Sequence, residues 1–258
     1  AAWVVLELQG PHETAIDLAK RAAEFPETDD EVRTDLLSIA AQVLALTGRL
    51  DDSLAYADQA VLRARRLGDE AREGAVLVIA AIAHMRASRL DEARVCARST
   101  LELATRSGDS EAEAMAWSTL ANIAILHRDG PEARRCVDRA LQGYRRLGNR
   151  RREAVVLGNL GLERKEWGTP AEAERWYREA IALARQLGDR LTEGVVLGRL
   201  GVVLRIQGHL DEAVEVLGVA LQLHRGVGER RFAGEAANGL AMALVGQGRP
   251  QEALVLLH

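Results

Sequence analysis

The chain has 258 residues, of which 48% are apolar, 28% charged and only 3% aromatic, with a formal net charge of −4. That apolar content is enough for a buried core and excludes wholesale disorder, and the slight acidity argues against a globally basic nucleic-acid binder. No apolar run approaches the roughly 20 residues of a membrane-spanning helix, and no charged segment followed by an apolar one opens the chain as in a signal peptide.

The chain repeats. Gly68, Gly108, Gly148, Gly188 and Gly228 recur every 40 residues, as do Glu92, Glu132, Glu172, Glu212 and Glu252. Ala93, Ala133, Ala173, Ala213 and Ala253 follow one residue later, and Glu73, Glu113, Glu153 and Glu193 form a further ladder. In chain order, residues 1–24 read as a partial unit, with Gly10, Ala15, Ala19 and Ala22 at a 38-residue offset. Phe25 to Asp30, with Pro26, is the one irregular link and the only plausible seam. Helix pairs are then predicted over 31–66, 70–106, 110–147, 150–187 and 190–226, and a sixth begins near 230 and is cut at 258.

Residues 190–226 show why each period is two helices. Val195, Val196, Leu200, Val203 and Leu204 fall at spacings of three and four, which is one helix face. Gln207, Gly208 and His209 interrupt it, and Leu210, Ala213, Val214, Leu217, Ala220 and Leu221 form a second face. Gly228 follows, where a helix can end in the left-handed conformation. Asp69, Asp109 and Asp189, each just after such a glycine, are candidate caps for the next helix. Nothing alternates as a strand would, so the fold is predicted to be all-α, of antiparallel helix pairs, with 1–258 forming one solenoid domain.

Leu157, Leu160, Gly161, Gly168, Ala173, Tyr177 and Ala180 resemble the core of a tetratricopeptide unit, with Leu197, Leu200, Gly201, Leu204, Gly208, Ala213, Leu217 and Ala220 in the next unit. Trp117, Leu120, Ala121, Ala133, Val137 and Ala140 fit the unit before. The chain therefore resembles the tetratricopeptide-repeat family, in a 40-residue variant where the standard unit has about 34. That variant is similar to repeats of the Pins/LGN polarity adaptors, of STAND-type ATPase sensors and of MalT-like activators. HEAT repeats, of similar period, rank second. The resemblance implies a right-handed α-solenoid whose first helices line a concave, partner-binding groove. At Gly161 and Gly201 a missing side chain lets the two helices of a pair approach closely.

The groove positions so implied are Ser38, Gln42, Val78, Ile82, Met85, Met115, Ser118, Asn122, Ile125, Gly158, Leu162, Lys165, Gly198, Val202, Arg205, Asn238 and Met242. Of these, Ile82, Met85, Met115, Ser118, Asn122, Leu162, Lys165, Val202, Arg205, Asn238 and Met242 are the candidate partner-binding residues. Their mostly apolar character suits an amphipathic helix or extended peptide, with Asn122 and Asn238 available to a ligand backbone and the methionines adaptable in shape. The family's chaperone-tail clamp needs paired Lys, Asn and Arg, which Ser38, Gln42, Val78 and Ile82 do not supply. Asn159 stands in a Gly-Asn-Leu-Gly string like that of the Pins/LGN repeats, in one unit only.

Little points to catalysis. Neither lysine, Lys20 or Lys165, follows a glycine, so no phosphate-binding loop is present, and no cofactor or metal is predicted. His12, His84, His127, His209, His224 and His258 form no recognised metal spacing. Cys96 and Cys136 occupy equivalent positions of adjacent units, too far apart for a disulfide, and are expected to be reduced and buried. Residues 128–152 hold nine arginines against Asp129, Glu132 and Asp138, a stretch read as a solvated outer face with local ion pairs rather than a nucleic-acid site. The functional expectation is a non-enzymatic, cytoplasmic protein- or peptide-binding or effector-sensing module. It would be a piece of a larger regulator, bacterial by its arginine-dominated composition. The alternative is a scaffold that self-associates through its outer face or ends.

Overall fold

A computed structural model describes residues 16, 17, 21, 28–228 and 230–257. Most of the partial unit expected over 1–24 and of its link to residue 30 lies outside the described residues. Among those described there are twelve α-helices and no strand. They are α1 Asp30–Leu46, α2 Leu50–Leu67, α3 Glu70–Arg86, α4 Leu90–Ser107, α5 Ser110–Leu126, α6 Gly130–Arg146, α7 Arg150–Trp167, α8 Pro170–Gln186, α9 Arg190–Ile206, α10 Leu210–Gly226, α11 Arg230–Gly246 and α12 Pro250–Leu257. Each predicted helix pair is therefore present. The chain forms two compact units, 1–143 and 144–258, with the boundary inside α6.

The 40-residue glycine ladder ends the second helix of each pair. Gly68, Gly108, Gly148, Gly188 and Gly228 all have positive φ, between 65° and 74°. After Gly68, Gly108, Gly148 and Gly188 the next residue caps the following helix. Asp69 accepts a hydrogen bond from the backbone N–H of Arg72, Asp109 from those of Glu111 and Ala112, Asp189 from that of Thr192, and Asn149 from that of Arg152. These bonds satisfy donors that a helix start leaves unpaired. The backbone bond from Arg72, together with its guanidinium, also holds the Asp69 carboxyl below its usual range.

The turns within the pairs are less uniform. Gly48, Gly208 and Gly248 take positive φ, and Ser88 and Arg128 do so at the same register without being glycine. At the fourth turn Thr169 and Glu172 form a reciprocal capping box ahead of Pro170.

Within the pairs, close approach replaces side-chain bulk. A Cβ on Gly161 would stand 2.5 Å from the Tyr177 ring, one on Gly201 2.3 Å from Leu217, and one on Gly143 2.8 Å from the Ala114 side chain. Tyr177 is thereby wholly buried. Alanine does the same along the second helices, where Ala57, Ala97, Ala140, Ala180 and Ala220 are all 0% exposed.

The glutamate ladder at the first helices crosses to the preceding second helix. Arg65 Nε donates to Glu73 Oε1 at 2.8 Å, Arg145 Nε to Glu153 Oε1 at 2.8 Å and Arg185 Nε to Glu193 Oε1 at 2.6 Å. Thr105 replaces the arginine in the fourth case, and Glu113 instead accepts from Trp117 Nε1 at 3.3 Å. In three of four units that ladder thus joins a first helix to the helix before it.

Candidate functional site

Successive pairs pack asymmetrically. In the first unit α1 touches α3 and α3 touches α5; in the second α7 touches α9 and α9 touches α11. No two second helices pack together to that extent among the described residues. Closer spacing of first helices than of second helices curves a stack towards its first helices. The faces those helices leave uncovered are therefore the inner faces of each unit.

The candidate residues lie on these faces. In the first unit Ile82 is 37% exposed, and Met85, Met115, Ser118 and Asn122 are partly exposed. Ile82 and Met85 share α3, while Met115, Ser118 and Asn122 run along one face of α5. In the second unit Leu162 and Lys165 on α7 and Val202 and Arg205 on α9 are partly exposed, and Asn238 and Met242 on α11 are exposed. Leu162, Val202 and Met242 occupy the same register of three successive first helices, so that an apolar stripe crosses that unit. Ser38, Gln42 and Gly198 are also accessible. Three wider groove positions are not. Val78 and Ile125 are only 4% and 7% exposed, and Gly158 is buried, with Val196 and Arg199 of α9 against it. Exposed apolar residues that the sequence reading left aside lie at the ends of the same helices: Leu46 and Leu126 in the first unit, Ile206 and Val245 in the second.

The second unit adds a polar cluster at this face that spacing alone did not assemble. Arg199 Nη1 on α9 donates to the Gly158 carbonyl at 3.2 Å and to Asn159 Oδ1 at 3.3 Å on α7. Arginine has only donors, so these bonds fix the Asn159 amide with its Nδ2 turned away. That Nδ2 is buried without a partner, as is the hydroxyl of Tyr177. Burial pushes the Tyr177 phenol above its ordinary pKa, opposed by the positive charge of Arg199. Burial likewise pulls the Arg199 guanidinium below its usual value. Neither Arg199 nor Arg205 makes an ion pair, and Arg205 Nε is buried without a hydrogen-bond partner. Lys165, by contrast, is held by Glu166 at 2.6 Å. The sequence does carry a signal for this cluster. The register of Arg199 holds Ile39, Ile79, Thr119 and Gly239 elsewhere, so a cation there breaks the ladder.

Other candidates resolve into structure. Among the described residues no three His, Cys, Asp or Glu side chains are grouped as a metal would need. Cys96 and Cys136 are free thiols. Cys136 is buried as expected, with burial raising its thiol to about 11, whereas Cys96 is only partly buried. His84 is partly buried, which lowers its pKa. In the arginine-rich stretch Arg134 pairs with Asp138, Arg135 with Glu132, Arg145 and Arg150 with Glu153, and Arg151 with Asp189. Arg134–Asp138, Arg135–Glu132 and Arg150–Glu153 are the local pairs expected there, while Arg145–Glu153 and Arg151–Asp189 join different helices. No described helix is long and apolar enough to cross a membrane.

Comparison with known proteins agrees with this architecture. Residues 112–186 match the family model described as tetratricopeptide repeat. No curated protein matches the chain by sequence. Among solved structures, a Rap protein complexed with competence and sporulation factor aligns with a TM-score of 0.75 at 12% identity, over 99% of this chain and 80% of that one. The structure of NprR in complex with its cognate peptide NprX gives 0.66 at 14%, covering 99% and 74%. The tetratricopeptide-repeat STAND protein from Pyrococcus horikoshii gives 0.65 at 18%, covering 96% of this chain but 40% of that protein. At such identities the likeness is one of fold. Residues 112–186 thus match the tetratricopeptide repeat, and the ladders and interlocking glycines extend the same kind of helix-pair repeat along the described chain.

Proposed function

We propose that the chain is a non-enzymatic interaction module that binds a peptide or helical segment of a partner protein on the inner faces of its first helices. The observation that carries this reading is the accessibility of apolar side chains where helices stack most closely. Ile82 and Met242 are 37% and 47% exposed, on helices that also bury Leu77 and Ala81, and Leu240 and Ala243, in the core. Exposed apolar positions in register across successive helices are what a helix-in-groove or extended-peptide ligand covers. The structures of NprR with its peptide and of the Rap protein with competence and sporulation factor support the reading, since they share the fold. The same reading makes the module cytoplasmic and part of a larger bacterial regulator.

The test places a photo-crosslinking amino acid at position 82, 122 or 202 of the full chain and identifies adducts formed in a bacterial lysate. Binding of the purified adduct partner is then measured against the double variant Ile82→Glu and Val202→Glu. The expected result is a weakening of at least about tenfold, as befits charge buried against an apolar ligand, with an unchanged melting temperature. A partner that crosslinks only from second-helix positions, or binds the double variant equally well, overturns the reading.

A further inference from the structure

The turns that join successive helix pairs lie along one edge of the second unit, because the helices of each pair are antiparallel and about 25 Å long. These turns span 145–153, 185–193 and 225–233 and hold ten arginines against four carboxylates. The equivalent turns of the first unit, 65–73 and 105–113, hold four arginines against six carboxylates. In a chain of net charge −4, the turn edge of the second unit is a local concentration of positive charge.

Part of that charge is matched internally. Arg145 and Arg150 hold Glu153, Arg151 holds Asp189 and Arg185 holds Glu193. Arg146, Arg152, Arg190 and Arg225 are exposed and pair with no carboxylate among the described residues.

Apolar side chains run through the same edge. Leu147, Leu187 and Val227 stand at one register of the repeat, directly before the turn glycines, and are 43%, 40% and 36% exposed. Leu191, in the first turn of α9, is 38% exposed. In the first unit this register holds Leu67 and then Ser107, so the row is broken there. The inner-face residues Leu162, Val202 and Met242 lie about 18 Å further along their helices than the helix starts at this edge, so the row is separate from the inner-face stripe.

The first helices α7, α9 and α11 touch in succession, which places equivalent positions about 10 Å apart. Seven residues of an α-helix rise by about the same distance. A helix laid along the edge with an apolar residue at every seventh position therefore meets Leu147, Leu187 and Val227 in turn. Carboxylates beside those residues meet the unpaired arginines, whose planar forks match a carboxylate with two bonds. Nucleic acid would leave the aliphatic row uncovered, and a bilayer would meet a line of side chains rather than a face.

We infer that the turn edge of the second unit is a docking surface for an acidic amphipathic helix of a partner protein, separate from the inner-face groove.

The test uses the full chain and two labelled three-heptad helical peptides with leucine at every seventh position. One flanks the leucines with glutamate and the other with glutamine, and binding is read by fluorescence anisotropy at low and high salt. Saturable binding of the glutamate peptide is expected, weakened by salt and at least about tenfold tighter than that of its glutamine counterpart. Arg146→Gln with Arg190→Gln weakens it about three- to tenfold, as two exposed charge pairs imply, and leaves the melting temperature unchanged because neither arginine has an internal partner. Leu187→Ser weakens it about threefold. Equal binding of the two peptides, no saturable binding of the glutamate peptide, or full affinity in either variant overturns the surface. Tighter binding to phosphatidylglycerol vesicles or to duplex DNA than to the peptide does so too. Ile82→Glu with Val202→Glu is expected to leave the peptide bound at full affinity. If that variant alone releases it, the peptide lies in the inner groove, and the edge proposal fails while the inner-face reading stands. If only the edge variants release it, the edge stands whatever becomes of the inner-face reading.

Discussion

At the scale of single residues, glycine has opposite roles in neighbouring helices. Gly161 is a steric requirement, since a methyl group there would lie 2.5 Å from the Tyr177 ring. Gly198 sits mid-helix with nothing within 4 Å of its absent Cβ. The same substitution is therefore expected to change stability in opposite directions. Gly161→Ala destabilises by about 1–3 kcal/mol through overpacking. Gly198→Ala stabilises by about 0.5–1 kcal/mol, because alanine is the better helix former and meets no neighbour. Urea unfolding of the two variants measures both signs. Were Gly161→Ala neutral, the close approach of α7 and α8 would not need glycine.

Among elements, the arginine–glutamate links between consecutive pairs are chemically alike and differ in burial. The Glu153 side chain is 4% exposed and is bonded by both Arg145 and Arg150, whereas Glu193 is 15% exposed and held by Arg185. All three arginines are about half exposed, so removing a glutamate returns its partners to water rather than stranding them. Glu153→Ala is expected to cost about 2 kcal/mol for two charge-assisted bonds, and Glu193→Ala about half that. Chemical denaturation of the two variants tests the ratio, and equal costs would show that burial is not what sets the strength of these links. These elements also show what a sequence discloses. The helix ends at Gly68 to Gly228 and the caps at Asp69, Asp109 and Asp189 were legible because they obey local backbone chemistry at a fixed period. Ser88 and Arg128 also take left-handed conformations, which no glycine marked. Burial of Gly158 against Val196 and Arg199 depends on how tightly α7 and α9 pack, and helical periodicity carries no such distance. The cluster of Asn159, Tyr177 and Arg199 draws on three helices and has no spacing of its own. Its one visible trace was a cation in a register that is otherwise uncharged.

For the whole molecule, the open physical question is whether the two compact units unfold as one. The 40-residue register runs through 143 and 144 without interruption, and α6 is continuous across that boundary. An array stabilised by nearest-neighbour interfaces behaves as one cooperative body when its interfaces are strong relative to the intrinsic stability of each repeat. Intrinsic stability is low here, because each pair buries mainly alanine and short aliphatic side chains and leaves its outer faces polar. We therefore expect coupled unfolding, and Gly161→Ala offers a means of measuring it, since it weakens the second unit by steric collision alone. Hydrogen exchange under conditions of global opening would be followed at amides of α3 and α4 in the first unit and of α8 and α9 in the second. If unfolding is coupled, the variant lowers protection by the same free energy in both sets. If only α8 and α9 lose protection, the units open independently, and a ligand bound on α9 would then stabilise its own unit without reporting to the other. The measurement thus decides whether occupancy of the second unit can be sensed at the far end of the chain, which a regulator built on this array would require.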